Sequence, residues 1–407
     1  MPEEKKKTEA EYATHAVQHN APGLLLRLRQ SLHTSVKEIR LRVWLTFALV
    51  SGLSIAAVAI PLPYVITSPG PTVDVVGMWS GKPVIDITGT HSDTHQPLTL
   101  DAPHTAEQAT GELRLVTVSE MGGPGYSVNA LTVLVKWLEG GNTIQRYSDV
   151  YGPQVTHEQI EQFGKAQMKS AQSTSSVAAL EELGWSVPAT VTVEGTVEGS
   201  GAQEVLHEKD ILRTIITPDG VRHEVNSASV PFRLMRHVPA GSLVTLEVER
   251  GGVLTSVEVQ TTASEGIDEG EGSKIGVYLS ADVMMPVDIH IDLENITGPS
   301  AGMMFALGII DRMTPGDITG GQKIAGTGTV SYDGQIGPIG GIQQKMRGAV
   351  RDGAMWFLAP QMNCSEVIGH IPEGLHVFSV STLSEAKAAV EAIASGRTQQ
   401  LPTCQAP

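Results

Sequence analysis

The chain has 407 residues, 41% of them hydrophobic and 18% charged, enough for two or three packed units and too apolar for wholesale disorder. Forty-four acidic against 28 basic residues leave a net charge of −16, which argues against a nucleic-acid binder, because phosphate recognition needs clustered Lys and Arg. Two cysteines, Cys364 and Cys404, are too few for a disulfide framework or a structural zinc site; Cys404 lies in a polar tail, and a bridge between the pair is not the expected state.

Residues 1–42 are basic, with eight Lys and Arg against five Glu. From Val43 to Ile60 run 18 residues without a charge, which as a helix reach about 27 Å, close to the hydrocarbon thickness of a bilayer. Trp44 and Tyr64 bracket the run as interfacial aromatics. Arg27, Arg29, Lys37, Arg40 and Arg42 precede it against a lone Glu38, which puts the N-terminus in the cytoplasm. The run is too long for a signal-peptide core and too uniformly apolar for a buried soluble helix. The expectation is a single-pass anchor over 43–66 that contacts the lipid bilayer through one helix, with the rest of the chain outside the cell membrane.

Residues 67–184 read as a β-rich membrane-proximal region, with strands at Pro83–Thr88 and Glu112–Val118, ending in a long helix from His157 to Leu183 that Gly184 stops. Residues 185–262 read strand–strand–helix–strand–strand: Ala189–Val193, the KDILRTI stretch ending at Ile215, Ser229–His237, Ser242–Glu249 and Ser256–Thr261. This order, with KDILRTI in the place of a Gly-Asp turn and strand, resembles a PDZ domain, although Lys209 stands where glycine is common. The resemblance implies capture of extended peptide ends by strand addition; a plain β spacer is the other reading. Residues 263–273, acidic and Gly-rich, read as a linker.

From 274 onward the pattern is regular. Val287–Leu293 alternates as a strand, in which Asp288, His290 and Asp292 share one face. A solvated face is the reading there, with His290 as a packed strand residue or, alternatively, one lining the site; no metal or cofactor is expected. Then Gly298-Pro-Ser-Ala-Gly302 feeds an apolar helix from Met303 to Ile310. Ser300 sits at the helix start beside outward-pointing amides, including that of Ala301, which suit a developing oxyanion. Alone this motif leaves two readings open, a nucleophile or an ordinary N-cap. A second motif, Ile336-Gly-Pro-Ile-Gly-Gly-Ile342, leads into a helix that carries Lys345, forty-five residues after Ser300 and among few charges. Desolvation of such an amine lowers its pKa toward neutrality and makes it a base for a neighbouring serine, without Asp or His.

The run from Thr297 to Ala354 resembles the proteolytic domain of the Lon family, and residues 274–396 with the anchor and Tyr64–Thr72 are similar to the membrane-anchored PDZ–Lon (YlbL-type) peptidases of Gram-positive bacteria. The resemblance implies Ser300 as nucleophile, Lys345 as general base and Thr327 as the dyad's supporting hydroxyl; Asn363-Cys364 also belongs to the pattern and is read as structural. Two positions depart from it: Thr297 stands where an Asp is usual, and Asp292 where a second His is. A homo-oligomer, a ring by resemblance, is a further expectation. The chain contains no G-x-x-x-x-G-K-[ST], so no nucleotide is expected to take part.

The fold class is therefore α+β multidomain: an N-terminal transmembrane helix, a β-rich membrane-proximal segment, a PDZ-like domain, a Lon-type proteolytic domain over 274–396 and a tail over 397–407. The function expected is an ATP-independent, membrane-anchored serine endopeptidase acting on extracytoplasmic proteins and peptides. The alternative is a PDZ-led binding scaffold or sensor whose protease-like domain is inactive or processes only itself.

Overall fold

In the computed structural model, residues 21–89, 100, 111–152, 155–263, 272–293 and 296–405 are described, without the side chains of 21–39. The start of the basic leader (1–20) and most of the expected linker (264–271) lie outside the described residues. The chain divides into two compact units, residues 1–63 with 127–138, and residues 64–126 with 139–407.

In the first unit a helix spans Ala21–Ala59, and its Arg40–Ala59 portion is long and apolar enough to cross a membrane, with mean hydropathy 1.8 and none of it buried. Pro61 and Pro63 lack the amides that would extend the helix. The chain instead turns into a two-residue ladder, Pro61 and Leu62 pairing antiparallel with Asn129 and Val128. Asn129 Oδ1 then accepts from the Thr132 amide at 2.9 Å and the Thr132 hydroxyl at 3.0 Å, capping a ten-residue helix, Ala130–Glu139.

Tyr64, expected to close the anchor at an interface, opens the first strand of the second unit (Tyr64–Asp74), where Val65 and Ile66 are buried. The strand order of the main sheet is His376–Val380, Trp356–Pro360, Lys323–Gly326, Glu112–Met121, Tyr64–Asp74 and Thr143–Arg146. The first four run parallel and the last two pair antiparallel. Residues 67–184 are thus not a separate region. Their strands are half of this sheet, and their helix, His157–Glu182, packs on the helix Gly302–Met313. That long helix is ended by Gly184 at φ +84°, as the sequence predicts, and it begins with a reciprocal Thr156/Gln159 capping box.

Alternation along the strands assigns the faces. Leu113, Leu115, Ile324 and Leu358 belong to one core with Met303–Phe305, Leu180 and Val390. Val116, Ala325, Phe357 and Ala359 belong to another with Ile342, Met346 and Ala349. The helices Gly302–Met313 and Ile342–Arg351 therefore cover opposite faces of one sheet.

Residues 189–260 form the expected strand–strand–helix–strand–strand unit, with a helix at Val230–Met235 and its own apolar core. Its sheet order is Val253–Gln260, Leu243–Arg250, Ile211–Ile216, Ala189–Thr196 and Val277–Val283, with Arg222–Glu224 paired to Ile211–Ile216. The strand Val277–Val283, expected in the proteolytic segment, completes this sheet instead. Asp210 is fully buried and held by two bonds from Arg250, at 2.8 and 2.6 Å. Lys209 has φ +71°, which explains why the resembling turn favours glycine there. The left-handed conformation costs a non-glycine residue about 1–2 kcal/mol, more than the roughly 0.5–1 kcal/mol of backbone entropy that glycine forfeits. Lys209→Gly is accordingly expected to stabilise this unit by about 0.5 kcal/mol or more in denaturant titration, and a loss of stability would contradict the turn geometry.

Cys364 and Cys404 form a disulfide, contrary to the reading of a free polar tail. Pro402 O accepts from the Ser379 amide at 2.8 Å, drawing the tail back along the edge strand until the Cα atoms of the two cysteines are 5.0 Å apart.

Candidate active site

Thr327 directly follows the strand Lys323–Gly326, at the carboxyl end of a parallel strand, the end where open α/β sheets gather their chemistry. It is fully buried, its amide donating to Leu358 O at 3.2 Å. Its hydroxyl donates to Ser300 O at 3.0 Å and accepts from Lys345 Nζ at 3.2 Å. One threonine therefore joins the two helices that approach from opposite faces, and brings together residues forty-five apart in sequence.

The turn before the first helix uses Gly298 at φ +91°, and the Gly298 amide donates to Gly164 O at 3.0 Å. Ser300 is not the N-cap: the helix runs Gly302–Met313, Ala301 is the cap residue, and no side chain caps it. Among the described residues the Ser300 hydroxyl has no hydrogen-bond partner, and the amides of Ser300 and Ala301 donate to no protein acceptor. Ser300 O is held firmly instead, accepting also from the Gly328 amide at 2.9 Å. The reactive-type hydroxyl is thus free while its backbone is fixed.

Lys345 lies on the helix Ile342–Arg351, whose start requires Gly341 at φ +69°; a Cβ there would meet Val118 Cγ1 at 2.8 Å. The lysine is 3% exposed, and burial pushes its ammonium down from the ordinary value to about 8. Among the described residues it has no carboxylate partner, and its hydrogen bond goes to Thr327 and not to Ser300 Oγ. Ser300 and Lys345 nonetheless line the same space. A cleft of about 700 Å³ is lined by both, together with Thr329, Ile339, Gly340, Glu120 and Gln145. A second cleft of about 310 Å³ shares Val118, Ser300 and Lys345 with it and extends past Ala301 and Thr297 toward Met168.

Asn363, read from sequence as structural, is buried and clamps the loop leading to Lys345: its Oδ1 accepts from the Ile339 amide at 3.0 Å and its Nδ2 donates to Ile339 O at 2.9 Å. His290 is exposed on the strand Asp288–Ile291, neither packed nor part of either cleft, and Asp292 pairs with Lys82 at 3.6 Å. Sequence reasoning missed the wall formed by Glu120, Thr143 and Gln145, because those residues come from 67–184, read as a β-rich membrane-proximal region apart from the proteolytic domain. Gln344 Nε2 donates to Thr143 Oγ1 at 2.6 Å and ties that wall to the lysine helix.

Comparison with known proteins finds relatives over part of the chain. The Lon protease of Clostridioides difficile is 27% identical over 195 residues, covering 44% of this chain and 24% of its own length. Lon protease 2 of Bacillus subtilis is 34% identical over 101 residues, 24% of this chain and 18% of its own. The chain thus spans about a quarter or less of the length of these relatives. Among solved structures, the PDZ domain of an SdrC-like protein from Listeria innocua is 20% identical, with 22% of this chain and 92% of that one covered and a TM-score of 0.19. The model of the Lon protease (S16) C-terminal proteolytic domain matches residues 273–391, so the part of this chain that holds Ser300, Thr327 and Lys345 matches the proteolytic domain of a serine-peptidase family.

Proposed function

We propose that this chain is a membrane-anchored serine endopeptidase that works without nucleotide through Ser300 and Lys345. The observation that carries the reading is a buried amine, its pKa lowered by burial to about 8, in the same cleft as a serine hydroxyl; among the described residues the amine has no carboxylate partner and the hydroxyl no hydrogen-bond partner. A structural lysine would be expected to find a carboxylate, and a structural serine to cap its helix.

In the first step neutral Lys345 removes the proton of Ser300 Oγ as that oxygen attacks the scissile carbonyl carbon. Thr327 holds the amine beside Ser300, and terminal rotation of the lysine side chain transfers it from one hydroxyl to the other; such bonds are commonly looser before substrate binds. The amides of Ser300 and Ala301, which among the described residues donate to no protein acceptor, suit the oxyanion. The ammonium of Lys345 returns its proton to the departing amine, leaving an acyl-enzyme. Water, deprotonated by the same lysine, attacks the ester carbon and restores Ser300. Two clefts that share Val118, Ser300 and Lys345 suit an extended chain lying across the hydroxyl, which favours flexible or partly unfolded proteins as substrates.

The apolar helix Arg40–Ala59 supports anchoring, and the basic residues before it support a cytoplasmic N-terminus. The Cys364–Cys404 disulfide supports an oxidising, extracytoplasmic setting for the catalytic part. A scaffold with a decayed site has less support, since the serine, the amine and the bridging threonine are all present. The test is digestion of fluorescent casein by the purified full-length chain in detergent, with and without ATP. Equal cleavage in both is the expected result; strict dependence on ATP, or no cleavage of casein and of short peptides alike, would overturn the proposal.

A further inference from the structure

The helix Ala130–Glu139 in the first unit is built inside out. Leu131, Leu134, Val135 and Leu138 fall at the spacing of a single helical face, and they are 47%, 51%, 42% and 68% exposed. Trp137, 68% exposed, flanks the same face. Thr132, Val133 and Lys136 lie on the opposite side and are half-buried, so two of the three residues turned inward are polar, and no residue of the helix is buried. A helix docked on a soluble core shows the reverse, with its apolar stripe inward and its polar residues in water.

Its position says what covers it. Pro61 faces Asn129 and Leu62 faces Val128 in the ladder, and Asn129 is the cap of the helix. Paired Cα atoms in such a ladder are about 5 Å apart, so the helix starts within one strand spacing of the point where the helix Ala21–Ala59 ends. If Arg40–Ala59 spans the bilayer, that point is the headgroup layer. We propose that Ala130–Glu139 lies in this layer as a second membrane contact, with its leucine face among the upper acyl chains and Trp137 at the interface; this rests on the reading of Arg40–Ala59 as the anchor. The helix has one Lys and one Glu, so its affinity comes from apolar area and does not require anionic lipid.

The experiment uses the full chain in phosphatidylcholine vesicles, with an environment-sensitive fluorophore on Leu138→Cys or, separately, on Ile55→Cys. Quenching is read with lipids brominated near the glycerol backbone or near the chain ends, and with iodide in the water. The label at 138 is expected to lose most of its emission to the shallow bromines and little to iodide, unchanged when anionic lipid is added, while the label at 55 responds to the deep bromines. If the label at 55 is quenched by lipid and that at 138 only by iodide, or by neither because a second copy or another protein covers it, the proposal for this helix fails and the anchor stands. If iodide alone quenches both, the anchor reading fails and the proposal with it.

Discussion

Ser300→Ala is expected to lower kcat/KM for casein or a peptide substrate by about a thousandfold or more, since removal of a nucleophile leaves only the contributions of oxyanion donors and binding. The same substitution is expected to leave stability nearly unchanged. The hydroxyl has no hydrogen-bond partner among the described residues, and the turn is held by the backbone of residue 300 through Thr327 and Gly328. Activity and thermal unfolding measured on one preparation therefore separate a catalytic role from a structural one. A variant that still cleaves at the parental rate removes Ser300 from the chemistry, and one that unfolds tens of degrees lower shows that the serine supports the turn.

Lys345→Met is expected to move activity and stability in opposite directions. Without a base the serine stays protonated, and the rate falls by about a thousandfold or more. The folded protein, however, is relieved of a buried charge. The lysine pKa is about 8 in the fold against an ordinary 10.5, so between those values the unfolded chain holds a proton that the folded one has released. The stability of the parent protein through this group is full above 10.5, declines as pH falls across that window and is lowest below 8. The loss amounts to about 3 kcal/mol at 1.36 kcal/mol per pH unit. Methionine has similar reach and no charge, so the variant is expected to be more stable at pH 7 by about 2–3 kcal/mol, with the gap closing toward pH 10. Parental activity should in turn rise with pH through an apparent value near 8, as the base becomes neutral. A less stable methionine variant at pH 7 would mean that the ammonium is well accommodated and that Lys345 is no base at neutral pH.

What could be read from sequence was the chemistry that local patterns carry. The GPSAG turn, the Gly340-Gly341 entry to the lysine helix and the stop of the long helix at Gly184 each follow from backbone demands of a few residues. The strands Pro83–Thr88 and Glu112–Val118 were likewise visible as strands. Their partners were not, because alternation says which side of a strand is apolar and nothing about what pairs with it. Glu112 is paired with Lys323, more than two hundred residues on, and Asp86 with His290. The pairing of the strand Val277–Val283 with Ala189–Thr196 was hidden for the same reason. The tail looked free because it is polar, but the contact that returns it to the sheet is made by the backbone of Pro402, which composition does not reveal. The exposed leucines of Ala130–Glu139 passed unnoticed because an apolar helical face reads as core until its environment is known.

The central sheet also sets an order of events. Strand Lys323–Gly326 sits between Glu112–Met121 and Trp356–Pro360, and the whole of 189–260 is made between the two halves. The early strands cannot bury their inner face until the later ones arrive, whereas 189–260 with Ile275 and the strand Val277–Val283 forms a core of its own. The order of the strands along the chain therefore lets this unit gather its core before the central sheet has received its last two parallel strands, Trp356–Pro360 and His376–Val380.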